Sequence, residues 1–256
     1  MDKARPLLPS PHLILFDLDD TLCDYATARV KRLRLAFSLH LQPDSAGSNH
    51  DLPRLREETL DQMVSESIAM QAHGAEHFPT IMAKYGIDDE SAAATAMEWY
   101  RSHPYLGLKL FPDAISTIDA LRGETGNGER STGRKIGIVT NGPAEVQRKK
   151  AALLGIFSIV DFVVISGEFG TWKPDRLIFD EALRLGGSAA SDAVFIGDSI
   201  DHDMIGAAEA GVRTIWVNRH RHVWPTAMTD PDRVVGSLRD LLPILLPEFT
   251  AEERAT

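Results

Sequence analysis

Two regimes of apolar spacing divide the chain. Pro6, Pro9 and Pro11 lead into Leu13-Ile14-Leu15-Phe16, a continuous apolar run that predicts a strand buried on both faces. From about Asp24 to Leu110 the apolar residues are spaced as on helices. Val30, Leu33, Leu35, Phe37, Leu39 and Leu41 predict a first amphipathic helix, and Gln42 to Pro53, rich in Pro, Ser, Gly and Asn, predicts a loop. Further helices are expected over Leu55–Gln71, Glu76–Tyr85 and Ser91–Arg101. The stretch carries no good strand pattern and reads as an all-helical insertion.

After Phe111-Pro112-Asp113 short apolar runs alternate with helical patterns. Strands are expected at Lys135–Gly142, Phe162–Ser166, Ala193–Asp198 and Thr214–Asn218, and helices at Ala114–Leu121, Glu145–Leu154, Leu177–Leu185 and Met204–Ala210. Strands separated by helices of about ten residues imply an α/β fold, a parallel sheet with helices on both faces. Gly123 to Gly133, rich in Gly, Ser, Thr and charge, predicts a surface loop that precedes its strand and so lies at the edge away from the strand ends. The expected domains are a core of residues 1–22 and 111–256 and a helical insertion of residues 23–110.

Composition narrows the class. Of 256 residues, 43% are hydrophobic and 25% charged, enough apolar material to bury a full core. The formal net charge of -10 argues against binding a nucleic-acid polymer, which needs a basic surface. It leaves room for small anionic substrates, since a metal and one lysine make a positive site within an acidic protein. Cys23 is the single cysteine, so no internal disulfide forms and a reducing, cytoplasmic setting is expected. The N-terminus, broken by prolines, makes a poor signal peptide, and no apolar segment approaches the roughly 20 residues of a membrane helix.

The chemistry gathers at strand ends. Asp17, Thr140, Ser166 and Asp198 each follow an apolar run directly, and in a parallel sheet those ends share one edge. Asp17, Asp19 and Asp20 crowd three carboxylates into four residues, which is unfavourable without a positive partner. Mg²⁺ suits such hard oxygen ligands. Asp17 is placed as a carboxylate nucleophile, and Asp19 as general acid and then general base. Thr140, Asn141 and Gly142 offer a hydroxyl and backbone N–H groups to an anion. Lys173 is placed to neutralise phosphate, and Asp198 to complete the metal site from another strand, in Gly197-Asp198-Ser199-Ile200-Asp201-His202-Asp203. Each cluster alone has a structural reading: helix caps for the aspartates, a turn for Thr140-Asn141-Gly142, a solvated loop lysine for Lys173. Jointly those readings must explain four polar clusters at four strand ends.

In order, Asp17-Leu18-Asp19-Asp20-Thr21, Thr140-Asn141-Gly142, Lys173-Pro174 and Gly197-Asp198 with Asp203 resemble the four motifs of the haloacid dehalogenase-like hydrolase superfamily. The likeness spans nearly the whole chain, and its helical insertion resembles the cap of the branch that includes phosphoglycolate phosphatase and 2-haloacid dehalogenase. Over Ile138–Gly142, Phe162–Ser166, Lys173–Phe179 and Trp216–Asn218 it resembles the pyrimidine 5′-nucleotidase and N-acylneuraminate-9-phosphatase group. The resemblance implies a Rossmann-like core, a phosphorylated nucleophile and Mg²⁺ ligand at Asp17, and an acid/base at Asp19 that binds Mg²⁺ through its backbone carbonyl. It further implies phosphate contacts from Thr140, Asn141 and Lys173, a Mg²⁺ ligand at Asp198, and support from Asp203. A carboxylate at Asp19 favours a phosphatase over a dehalogenase, whose halide leaving group needs no proton. Asp20, where phosphomutase relatives usually carry Gly, makes a mutase the less favoured reading.

The expected function is therefore Mg²⁺-dependent hydrolysis of small phosphorylated metabolites, of the nucleotide or sugar phosphate class. A phosphotransferase and a catalytically silent binding protein are the alternatives. Tyr25, Trp99, Tyr100, Tyr105 and Trp172 are candidate stacking residues for a substrate, with core packing the competing role for the tyrosines and Trp99. His73 and His77 share i,i+4 spacing but have Gly74 between them and no third ligand nearby, so they are read as structural. Asn218-Arg219-His220-Arg221-His222 reads as a solvated basic loop, and Met63 and Met70 as core.

Overall fold

The computed structural model describes residues 10–39, 57–70, 74–123, 133–226 and 229–246. The loop expected over Gln42–Pro53, the ends of the helix expected over Leu55–Gln71, His73, and residues 124–132 lie outside them. The chain divides into two compact units, Met1–Asp24 with Leu110–Thr256, and Tyr25–Lys109.

The first unit opens with β1 (Leu13–Phe16), four side chains fully out of water. Burying each contributes about 1.5–3 kcal/mol, and burial on both faces requires a cover on each side. The second unit holds α1 (Tyr25–Ser38), α2 (Glu57–Ala69), α3 (Phe78–Lys84) and α4 (Glu90–Ser102), with no strand among its described residues. Its core forms around Leu33, Phe37, Met63, Phe78, Ala96 and Tyr100. Phe78 meets Phe37 at 4.6 Å and Tyr100 at 5.3 Å between ring centroids. Asp89 caps α4 by accepting from the N–H groups of Ser91 and Ala92. His77 is buried against Ser67, 2.5 Å from its hydroxyl, in a structural place. Val30 and Leu35, expected on the apolar face of α1, are exposed, whereas Leu33 and Phe37 carry the packing.

The chain returns to the first unit through α5 (Ala114–Arg122), β2 (Lys135–Thr140), α6 (Ala144–Leu153) and α7 (Ile156–Ile159). Then follow β3 (Phe162–Ile165), α8 (Ser166–Phe169), α9 (Arg176–Gly186), β4 (Ala193–Gly197), α10 (Ile205–Glu209), β5 (Arg213–Val217), β6 (Arg233–Val235) and α11 (Leu242–Leu245). The six strands form one parallel sheet in the order β3-β2-β1-β4-β5-β6. Leu13 and Leu15 join Val139, Phe179, Phe195 and Trp216 in the core on one face, while Ile14 and Phe16 point to the other, equally dry, face. This is the Rossmann-like α/β core with an all-helical insertion.

Two local expectations are corrected, and one strand is added. Ser166 opens α8 rather than ending its strand. The helix expected from Met204 is preceded by a wide π turn, Ile200–Met204, in which the Ser199 hydroxyl accepts from the N–H of His202. β6 was not anticipated, because three residues with Val234 exposed leave too little pattern to read.

Candidate active site

Strand order reverses at β1, with β2 and β3 on one side and β4 to β6 on the other. Such a switch point opens a crevice beyond the carboxyl ends of the strands. Asp17 stands there, one residue past β1, its N–H donating to the carbonyl of Ile196 on β4 at 2.9 Å. Asp198 stands one residue past β4. Carboxylate oxygens of Asp17, Asp198 and Asp203 all lie within 4.8 Å of one another.

Lys173 closes this group. Its ammonium donates to Asp17 Oδ1 and to Asp203 Oδ1, each at 2.6 Å, and all three residues are buried. Asp203 also accepts from the N–H of Ser199 at 3.1 Å, which the π turn makes possible by turning this side chain inward. Gly197 is required here, because a Cβ in its place would stand 2.2 Å from Asp203 Oδ2. Asp198 accepts a hydrogen bond from the Thr21 hydroxyl at 3.2 Å.

The charges do not balance. Three carboxylates face one ammonium, which leaves two negative charges in a nearly dry space. Burial, partly offset by Lys173, pushes the Asp17 carboxyl up to about 7. Burial and repulsion from Asp17 and Asp203 push Asp198 up to about 9. Burial alone would lower the Lys173 pKa, but Asp17 and Asp203 reverse this and hold it above the ordinary lysine range. A divalent cation would supply the charge that is missing, and oxygen donors from two adjacent strand ends suit Mg²⁺. The donor set therefore fits the ion.

Asp19 is placed apart from that cluster. Lys150 of α6 donates to both its carboxylate oxygens, at 2.7 and 2.5 Å. Gln147, one turn earlier, donates to Asp19 Oδ2 at 3.1 Å and also reaches the Thr140 hydroxyl at 2.7 Å and the Asn141 carbonyl at 2.8 Å. The Cys23 thiol donates to Asp19 Oδ1 at 3.3 Å; burial and Asp19 push that thiol far up, so it stays a neutral donor. Asp20 beside it takes a left-handed backbone, φ 58°.

Thr140 ends β2, buried. The Asn141 side chain accepts from the N–H of Lys173 at 2.8 Å and donates to its carbonyl at 2.9 Å, tying the second motif to the third. Gly142 donates its N–H to Ser166 Oγ at 2.9 Å, and a Cβ on it would fall 2.6 Å from Gln147 Cγ.

Gln147 and Lys150 were not expected from sequence. Only the fold shows them: the buried residues of α6 are Gln147, Lys150 and Ala151, two polar side chains where a core-facing stripe is usually apolar. Arg219 corrects another expectation. It is not solvated but lies over the Phe111 ring at 3.8 Å and reaches Asp113 at 3.3 Å and the Thr21 carbonyl at 3.5 Å. Among the proposed stacking residues, Tyr100 is in the core of the helical unit and Trp99 stacks on His103 at 4.3 Å, while Trp172 is exposed beside Lys173.

A family model described as haloacid dehalogenase-like hydrolase matches residues 11–211, which carry all four strand-end clusters. The chain belongs to that family. As a haloacid dehalogenase-like hydrolase it is 32% identical over 237 residues to the glyceraldehyde 3-phosphate phosphatase of Methanopyrus kandleri, covering 91% of this chain and 96% of the relative. It is 35% identical over 135 residues to the pyrimidine 5′-nucleotidase YjjG of Escherichia coli, 52% of this chain and 56% of that one. The crystal structure of the HAD-hydrolase YfnB from Bacillus subtilis, bound to magnesium, shares the fold at a TM-score of 0.65 and 22% identity, covering 92% of this chain and 99% of that one. No described helix of this hydrolase is long and apolar enough to cross a membrane.

Proposed function

We propose that this hydrolase is a Mg²⁺-dependent phosphatase of small phosphomonoesters that works through a phosphorylated Asp17. The observation that carries the reading is the buried Asp17–Lys173–Asp203 chain beside Asp198, a site two positive charges short of neutrality. Asp17, Asp198 and the backbone carbonyl of Asp19 would hold Mg²⁺, with Asp203 supporting through Lys173 and Ser199. When bound, the ion screens the negative charge that otherwise keeps a phosphate dianion from a carboxylate nucleophile.

The residues divide the work. Lys173 favours the ionised form of Asp17 and aims it, and Asp17 forms a bond to phosphorus as the ester P–O bond breaks. Asp19 gives its proton to the departing oxygen, so the alcohol leaves neutral. Water then attacks the acyl phosphate, its proton passes to Asp19, and inorganic phosphate leaves with Asp17 restored. Thr140, Asn141 and Lys173 bind the phosphoryl oxygens throughout, because phosphoryl transfer is chiefly a matter of positioning and charge.

The named relatives act on a triose phosphate and on pyrimidine nucleotides, which supports a small phosphorylated metabolite of the sugar phosphate or nucleotide class as substrate. The helical unit Tyr25–Lys109 is proposed as the cap that selects it. The buried free thiol of Cys23 is in keeping with a cytoplasmic setting. Phosphate release from a panel of sugar phosphates and nucleotides, with Mg²⁺ and with chelator, tests the reading. Release that requires Mg²⁺ supports it; phosphoryl transfer to a second hydroxyl, or silence from the folded, Mg²⁺-loaded protein, overturns it.

A further inference from the structure

Lys150 is a buried lysine that the reaction just described does not use. An ammonium taken out of water needs a close counter-charge, and Lys150 meets one in Asp19, held through both carboxylate oxygens. Its neighbour on the same helix face, Gln147, joins Asp19 to the Thr140 hydroxyl. The inward face of α6 thus gives up two apolar side chains to grip one carboxylate.

That carboxylate needs a grip. Asp19 lies past the end of its strand, next to a left-handed residue, with its side chain about a quarter exposed. Lys173 is a strong competing attraction for any loose carboxylate, being the cation around which Asp17 and Asp203 already gather. A carboxylate drawn there would crowd the nucleophile and leave the departing oxygen without a proton donor.

We propose that Lys150 is the positioning residue of the acid/base: anchored on α6, it holds Asp19 beside Thr140 and away from Lys173, with Gln147 fixing the rotation of the carboxylate plane. The proposal rests on the assignment of Asp19 as acid/base. Lys150 touches Asp19 and, in this role, not the substrate. Its removal therefore reproduces the loss of Asp19 rather than a general weakening.

The readout is the dependence of kcat/KM on leaving group, measured with Mg²⁺ on the full chain. p-Nitrophenolate departs from p-nitrophenyl phosphate without help, whereas the alkoxide of an alkyl phosphate needs a proton. Lys150→Met is expected to lose at least about tenfold more on the alkyl ester than on the aryl ester, and Asp19→Asn to show the same bias. The double variant should be no worse than Asp19→Asn alone, and Lys150→Arg should restore most of the alkyl activity. Should Lys150→Met fail to fold, Lys150→Gln supplies the same comparison. Equal losses on both esters, or losses that multiply in the double variant, overturn the role of Lys150 while leaving Asp19 as acid/base. An Asp19→Asn protein as active as the parent on both esters overturns that assignment and this proposal together.

Discussion

Lys173 donates a hydrogen bond of 2.6 Å to Asp17 from 156 positions further along the chain, and both side chains are nearly out of water. The pair joins the first and third motifs at the sheet's switch point. Its worth is conditional, because the attraction between buried charges must repay their desolvation. Two further carboxylates, on Asp198 and Asp203, crowd the same pair.

Lys173→Met should therefore cost stability as well as activity. Removing one partner of a buried pair costs about 3–5 kcal/mol. The loss, measured by urea denaturation, should be largest at high pH and shrink as the pH falls and the stranded carboxyls take up protons.

The raised carboxyl pKa values set a pH dependence for the parent protein. Between the ordinary value of 3.8 and about 7 for Asp17, or about 9 for Asp198, the folded protein keeps protons that the unfolded chain has released. These two groups therefore subtract stability from the metal-free protein as pH rises across that window. Mg²⁺ displaces those protons, so the Mg²⁺-induced rise in Tm is expected to be greater at pH 8.5 than at pH 6, values that bracket the Asp17 midpoint. Thermal melts with Mg²⁺ and with chelator at the two values check this.

Asp198→Asn removes one of the repelling charges while keeping the shape of the side chain. The metal-free variant should melt at or above the temperature of the parent at pH 8, yet bind Mg²⁺ at least about tenfold more weakly. Calorimetric titration alongside the melts separates the two effects.

Gly197→Ala places a Cβ against Asp203, whose carboxylate is pinned by Lys173 and by Ser199 and has little freedom to yield. A loss of about 1–3 kcal/mol is expected, the usual cost of overpacking. Mg²⁺ affinity should fall with it, read by the same titration.

Much of this arrangement is legible in sequence, for a specific reason. An apolar run that stops at a polar residue marks a strand end, and parallel topology sends every such end to one edge, which brings Asp17, Thr140 and Asp198 to the same side of the sheet. Lys150 and Gln147 are not legible in the same way. A lysine or glutamine in a helix usually faces water, and the partner that draws these inward, Asp19, lies 131 and 128 positions away. Arg219 hides for the same reason, since only the folded chain shows Phe111 and Asp113 beneath it. The π turn before α10 escapes because the pattern from Met204 onward is helical, while the turn itself answers to where Asp203 must point.

The claim at the centre is that Asp17 carries the phosphoryl group in transit. The direct measurement is to mix the Mg²⁺-loaded enzyme with a phosphate-labelled ester that it hydrolyses, quench in acid within the first turnovers, and map the labelled peptide by mass spectrometry. Label on the peptide containing Asp17, absent from Asp17→Asn, is the expected result. Full turnover with no label on the protein, or label on another residue, would contradict it.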